Sequence, residues 1–106
     1  MNFGVYVNGK EEGYWEIYFY NGNIMFSGGY SNGKEEGYWE YYYGHQGVIM
    51  KRGDYINGEA DGHWEYYWCN GNPMYRGTFC NGNKQGVWTR YNQYGEIQEK
   101  IFYANH

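Results

Sequence analysis

Along the chain, aromatic and polar residues alternate in short runs separated by Asn-Gly or Gly-rich breaks. The runs WEIYFY from Trp15, WEYYY from Trp39 and WEYYW from Trp64 have the period of two expected of strands with unlike faces. Asn-Gly tolerates the left-handed backbone that a tight reverse turn needs. The chain is therefore predicted to double back at Asn21-Gly22 and Asn70-Gly71, with Tyr94-Gly95 a weaker signal in the last copy. These elements make β-hairpins throughout, with strands of about five to eight residues.

The pattern repeats. Tyr6 opens Y-V-NGKEEGYWE, Tyr30 opens Y-S-NGKEEGYWE, Tyr55 opens Y-I-NGEADGHWE and Phe79 opens F-C-NGNKQGVWT, at spacings of 24, 25 and 24 residues, and Tyr103 begins a truncated copy. Trp15, Trp39, Trp64 and Trp88 keep the same step, as do Gly13, Gly37, Gly62 and Gly86. A fixed period of this size marks a stacked array whose units bury surface only against neighbours. The reading is one domain over 1–106: a half unit at 1–5, repeats at 6–29, 30–54, 55–78 and 79–102, and a truncated unit at 103–106.

If Asn21-Gly22 is a two-residue loop, Trp15 falls opposite Gly28. The same arithmetic sets Trp64 opposite Gly77 and, about a longer loop centred on Gln46, Trp39 opposite Gly53. A strand glycine leaves room for an indole to lie across it. Trp88 meets Ile101 and breaks the rule. Alternation then assigns an aromatic face to the Trp residues with Tyr6, Ile17, Phe19, Phe26, Tyr30, Tyr41, Tyr43, Tyr55, Tyr66, Trp68, Tyr75 and Phe79. The other face carries Tyr18, Tyr42, Tyr67 and Tyr91 beside Glu16, Glu40 and Glu65. On it Glu40 is expected opposite Arg52, Glu65 opposite Arg76, and Tyr18, Tyr42 and Tyr67 opposite Met25, Met50 and Met74. In the last unit the aromatic face turns polar, with Arg90 opposite Glu99 and Asn92 beyond, as the end of an array should be.

Composition supports this picture. Among 106 residues there are 18 Gly, 16 Tyr, 5 Trp, 5 Phe and twelve Asn, two Ala and no Leu. Such a chain opposes helix and suits a pleated surface, and its aromatic content separates it from disordered chains. With few aliphatic fillers, an open sheet is favoured over a compact core. The net charge of −4 argues against a nucleic-acid partner and favours a basic one. The start, MNFGVYVNGK, lacks a secretory pattern and no run approaches a membrane span, so a cytoplasmic protein without a transmembrane segment is expected.

The motif Y-x-NG-K-E-E-G-x-W-x-x-Y-x-x-NG resembles the MORN repeat in its longer-period bacterial form, over almost the whole chain from Tyr6 to Tyr103. Gly4 in the leading half unit matches Gly28, Gly53 and Gly77. Departures are the extra residue near His45, Ile101 in place of Gly, and Gln85 and Val87 in the fourth copy. The resemblance implies an all-β, single-layer antiparallel meander of stacked β-hairpins, about four and a half repeats long, elongated, twisted and curved. It also implies a protein-interaction scaffold, antitoxin-like in some bacterial members and phospholipid-touching in some eukaryotic ones.

Catalysis needs an asymmetric constellation, and a repeat supplies identical positions instead. No nucleophile with a base, paired carboxylates or metal-ligand spacing stands out, and His45, His63 and His106 occur singly, so no enzyme activity, cofactor or metal is expected. Cys69 and Cys80 lie at opposite ends of one strand, beyond disulfide reach at ~3.3 Å per residue, and should be free thiols. The NGxxxG segments, read as loops, put Glu11, Glu12, Glu35, Glu36, Glu59 and Asp61 along one edge, either as a solvated rim or as a strip for a basic partner. The tyrosine ladder likewise has two readings: β propensity with sheet packing, or contact area for a protein. The candidate partner-binding set is Tyr18, Tyr42, Tyr67, Tyr91, Glu16, Glu40, Glu65, Glu11, Glu12, Glu35 and Glu36. Aromatic repeats with nearby Met also resemble choline- and carbohydrate-binding cell-wall repeats, although the period and the missing export signal count against that. The acidic balance disfavours anionic phospholipid. Edge strands or an uncovered face invite homodimerisation.

Overall fold

The protein is described here by a computed structural model covering residues 2–44 and 47–104. His45, Gln46 and His106, singled out above, lie outside the described residues. Nine strands follow one another: β1 Phe3–Val7, β2 Lys10–Tyr18, β3 Ile24–Ser31, β4 Lys34–Tyr42, β5 Ile49–Ile56, β6 Glu59–Tyr67, β7 Pro73–Cys80, β8 Asn83–Tyr91 and β9 Ile97–Tyr103. They form one antiparallel sheet in chain order, with no helix among the described residues. The sheet measures 44 × 37 × 13 Å, a single open layer, as the sequence predicts. Cys69 and Cys80 are free and exposed.

Two kinds of turn connect the strands. At one edge Asn8-Gly9, Asn32-Gly33, Asn57-Gly58 and Asn81-Gly82 all have positive φ, which is the two-residue turn that matches the twist of a hairpin. The residues after each Asn-Gly are strand, not loop: β2 begins at Lys10, which pairs with Val7. At the other edge the loop is Tyr20-Asn21-Gly22, one residue longer than expected. Phe19 N–H donates to Asn23 C=O at 2.7 Å, and Gly22 closes the turn with a φ of 91°. Met25 then stands as an extra residue, because Tyr18 pairs with Ile24 while Ile17 pairs with Phe26. The longer loop and the bulge cancel, so Trp15 still meets Gly28, Trp39 meets Gly53 and Trp64 meets Gly77. Tyr18, Tyr42 and Tyr67, however, pair with Ile24, Ile49 and Pro73 rather than with the expected methionines.

A second bulge repeats in each Asn-Gly hairpin. Val5 pairs with Glu12 but Phe3 pairs with Glu16, so three residues, Gly13 to Trp15, stand against Gly4. Gly13, Gly37, Gly62 and Gly86 adopt positive φ at this bulge, which bends the strand and swings the following Trp back over its neighbour. The glycine that receives each indole is therefore not its register partner. A Cβ on Gly4 would sit 2.1 Å from the Trp15 ring, on Gly28 2.1 Å from Trp39, on Gly53 2.2 Å from Trp64, and on Gly77 2.1 Å from Trp88. Each of these four Trp covers the glycine of the preceding strand. Trp88 pairs with Ile101, as expected, and among the described residues no strand beyond β9 lays an indole over Ile101.

Each indole N–H donates to the backbone carbonyl following that glycine: Trp39 to Gly29 at 2.9 Å, Trp64 to Asp54 at 3.0 Å and Trp88 to Thr78 at 2.9 Å. The rings interlock edge-to-face with the unit-opening aromatics, from Tyr6–Trp15 at 5.0 Å through Trp39–Tyr55 at 5.9 Å to Phe79–Trp88 at 4.9 Å. This spine is the core, with Trp39 and Trp64 1% exposed and Trp88 fully buried. Such ring pairs add about 0.5–1.5 kcal/mol each beyond area burial.

Candidate interaction surface

On the opposite face, side chains two apart along a strand stand side by side. Tyr14, Glu16 and Tyr18 of β2 are one such triplet. Tyr14 Oη donates to Glu16 Oε2 at 3.0 Å and Tyr18 Oη to Glu16 Oε1 at 2.7 Å, so one carboxylate takes a phenol on each oxygen. β4 repeats this with Tyr38 and Tyr42 on Glu40 at 3.0 and 2.7 Å. On β6, Tyr67 donates to Glu65 at 2.6 Å, and His63 Nε2 stands 3.3 Å from the other oxygen. In β8 the triplet becomes Val87, Thr89 and Tyr91, and the device is lost. The sequence reading picked Tyr18, Tyr42 and Tyr67 with their glutamates but passed over Tyr14, Tyr38 and His63. Their signal was the Y-x-E-x-Y spacing on a period-two strand.

Across the sheet, register lines up Glu16, Ser27, Glu40, Arg52, Glu65, Arg76, Thr89 and Lys100. Glu40 opposite Arg52 and Glu65 opposite Arg76 are as expected. Arg52 nevertheless turns to Glu65, with Nη2 at 2.8 Å and Nε at 2.9 Å from Oε1, and its guanidinium lies 5.5 Å over the Tyr67 ring. Arg76 lies 5.6 Å over Tyr91. Its buried Nε approaches Glu65 at 3.5 Å without forming a directed hydrogen bond.

These contacts fix the charges. Burial pushes the Glu65 carboxyl up, but hydrogen bonds from Tyr67, Arg52 and His63, with the Arg52 charge, outweigh it and hold Glu65 down at about 2. The hydrogen bond to Glu16 raises the Tyr18 phenol, while burial and then the Glu40 carboxylate raise Tyr42. Near neutral pH Glu65 is thus a carboxylate, and Tyr18 and Tyr42 are phenols.

The remaining acidic residues do something else. Glu12 Oε1 accepts from Asn32 N–H at 2.9 Å, Glu36 Oε1 from Asn57 N–H at 2.9 Å, and Asp61 Oδ2 from Asn81 N–H at 3.2 Å. The next amide joins in, Gly33 N–H donating to Glu11 C=O at 3.0 Å and Gly58 N–H to Glu35 C=O at 2.9 Å. Each Asn-Gly turn is pinned to the strand before it. Glu12 and Glu36 are thereby committed within the fold, and Glu11 and Glu35 pair with Tyr6 and Tyr30 of the aromatic face. Tyr18, Tyr42, Tyr67, Tyr91, Glu16, Glu40 and Glu65 share one surface; register puts Glu12 and Glu36 on the same side, engaged by the Asn-Gly turns, while Glu11 and Glu35 lie with Tyr6 and Tyr30 on the aromatic side.

On the aromatic face two lysines cover the outer rings. Lys51 Nζ stands 4.6 Å from the Tyr41 centroid, and Lys84 Nζ stands 4.8 Å from Tyr75, 5.3 Å from Trp88 and 5.4 Å from Tyr103. Among the described residues no cluster of three His, Cys, Asp or Glu side chains has metal-binding geometry, and no helix is long and apolar enough to cross a membrane. No protein-family model and no curated protein matches the chain.

Proposed function

We propose that the chain is a non-catalytic, MORN-like repeat scaffold that binds a partner protein through its Tyr–Glu face, acting as an antitoxin or inhibitor does toward a basic target. The observation that carries this reading is the repeated Tyr14-Glu16-Tyr18 and Tyr38-Glu40-Tyr42 clamp, in which rings and carboxylates are held in place before any partner arrives. Tyrosine gives large contact area at low entropic cost, and immobilised side chains lose little further freedom on binding. Tyr14 and Tyr38 remain 54% and 50% exposed, which a purely packing role does not require. A choline-type ligand is the weaker reading, because Lys51 and Lys84 already occupy the cation positions over the opposite face's rings. Capture from the native host with the wild type and with Tyr42→Ser/Tyr67→Ser tests the proposal, followed by reconstitution with the purified partner. Loss of the partner in the variant is expected; unchanged capture removes the ladder from the site.

A further inference from the structure

Resting on that reading, we infer that the face carries a seat for an arginine side chain of the partner, above Ser27 and between Glu16 and Glu40. The central row of this face alternates acidic residues with a second position, occupied by Ser27, then Arg52, then Arg76. Where that position is arginine, the chain shows what the surroundings hold: the Arg52 guanidinium bonds Glu65 and lies over Tyr67. Planar guanidinium matches carboxylate geometry and stacks on aromatic faces, which an ammonium does less well.

At Ser27 the surroundings recur without the cation. Ser27 pairs with Glu16 on one side and Glu40 on the other, and neither carboxylate forms an ion pair among the described residues. Tyr42 stands to Glu40 as Tyr67 stands to Glu65. The Tyr14 hydroxyl lies beside Ser27 as the Tyr38 hydroxyl lies beside Arg52. Ser27 is a short side chain, 8% exposed, in the row position where the next two repeats carry Arg52 and Arg76. Two strand spacings, about 10 Å, separate the Glu16 and Glu40 backbones, the same span that separates Glu40 from Glu65 with the Arg52 strand between them. The partner that fits is a basic segment presenting arginine, and the internal Arg52–Glu65–Tyr67 clamp is its template.

Amide shifts of the protein, followed by NMR during titration with a tetra-arginine peptide, test the seat against matched tetra-lysine and tetra-citrulline peptides. Saturable shifts centred on Ser27, Glu40 and Tyr42 are expected, at least tenfold tighter for arginine than for citrulline, with lysine between. Ser27→Arg supplies the missing guanidinium in cis and should abolish those shifts while leaving the fold intact by its spectrum. Should that variant fold poorly, Glu40→Gln replaces it and should weaken arginine binding at least fivefold. Equal affinity for arginine and citrulline, or full binding by the folded Ser27→Arg variant, overturns the seat. Shifts confined to the Glu11, Glu35 and Glu59 edge overturn the seat and leave a basic partner standing. Absence of shifts anywhere overturns both.

Discussion

The two faces of this sheet use the same residue types for opposite ends. On one face four indoles, those of Trp15, Trp39, Trp64 and Trp88, are buried, each pressed onto a glycine and hydrogen-bonded to backbone. On the other, aromatic rings stand half exposed and bond to carboxylates that are themselves near solvent. A single layer has no second sheet to cover either face. It gains its core by folding one side chain per repeat down onto its own backbone, and that requires a Gly in the neighbouring strand. The other face is relieved of stability and free to carry contact chemistry.

The largest effect that would break this contrast is at glycine. Gly53→Ala puts a methyl 2.2 Å from the Trp64 ring, and the indole must leave its place. We expect a loss of about 3–5 kcal/mol in urea unfolding, comparable with truncating a buried Trp. The same substitution of Gly71, which has nothing within 4 Å, should cost only what its positive φ imposes, about 1 kcal/mol.

An intermediate effect is pH-dependent. Glu65 is held at about 2 in the fold against an ordinary 4.5, so its contribution is complete above the ordinary value and is lost as pH falls toward 2. The wild type should lose stability across that window, and Glu65→Gln should flatten the slope there in acid titration followed by Trp fluorescence. At the alkaline end the signs reverse. Tyr42, raised by burial and by Glu40, keeps its proton longer when folded, so its contribution is present below pH 10 and lost above it. Tyr42→Phe should reduce the alkaline loss.

Smaller again is the turn chain. Asp61→Ala leaves the Asn81 amide without its acceptor and should cost about 0.5–1.5 kcal/mol, with faster hydrogen exchange at Asn81 than at Asn32, where Glu12 persists.

Much of this was legible in the sequence for a physical reason: a repeat shows the same local solution several times. Asn-Gly marked where the chain turns, although the two-residue turn expected at Asn21-Gly22 is found at Asn8-Gly9 and its equivalents, and the Trp-to-Gly spacing indicated the register of β2 with β3, β4 with β5 and β6 with β7. Two features were not legible. Positive φ at Gly13 and its equivalents turns an apparent loop into a bulged strand, and only that bulge tells which glycine lies beneath which Trp. The roles of Glu12 and Glu36 depend on the next Asn-Gly turn stacking alongside, a contact some twenty residues away that no local pattern encodes. For the site, Glu16 with Tyr18 and Glu40 with Tyr42 were visible by alternation. The missing cation at Ser27 became visible only once Arg52 was seen turning to Glu65.

The division of labour between the faces is tested most directly by urea unfolding of Tyr18→Thr/Tyr42→Thr beside Gly53→Ala. Two half-buried rings with their hydroxyl bonds should together cost about 1–2 kcal/mol, less than the single added methyl. A double tyrosine variant that loses more stability than Gly53→Ala would contradict the account.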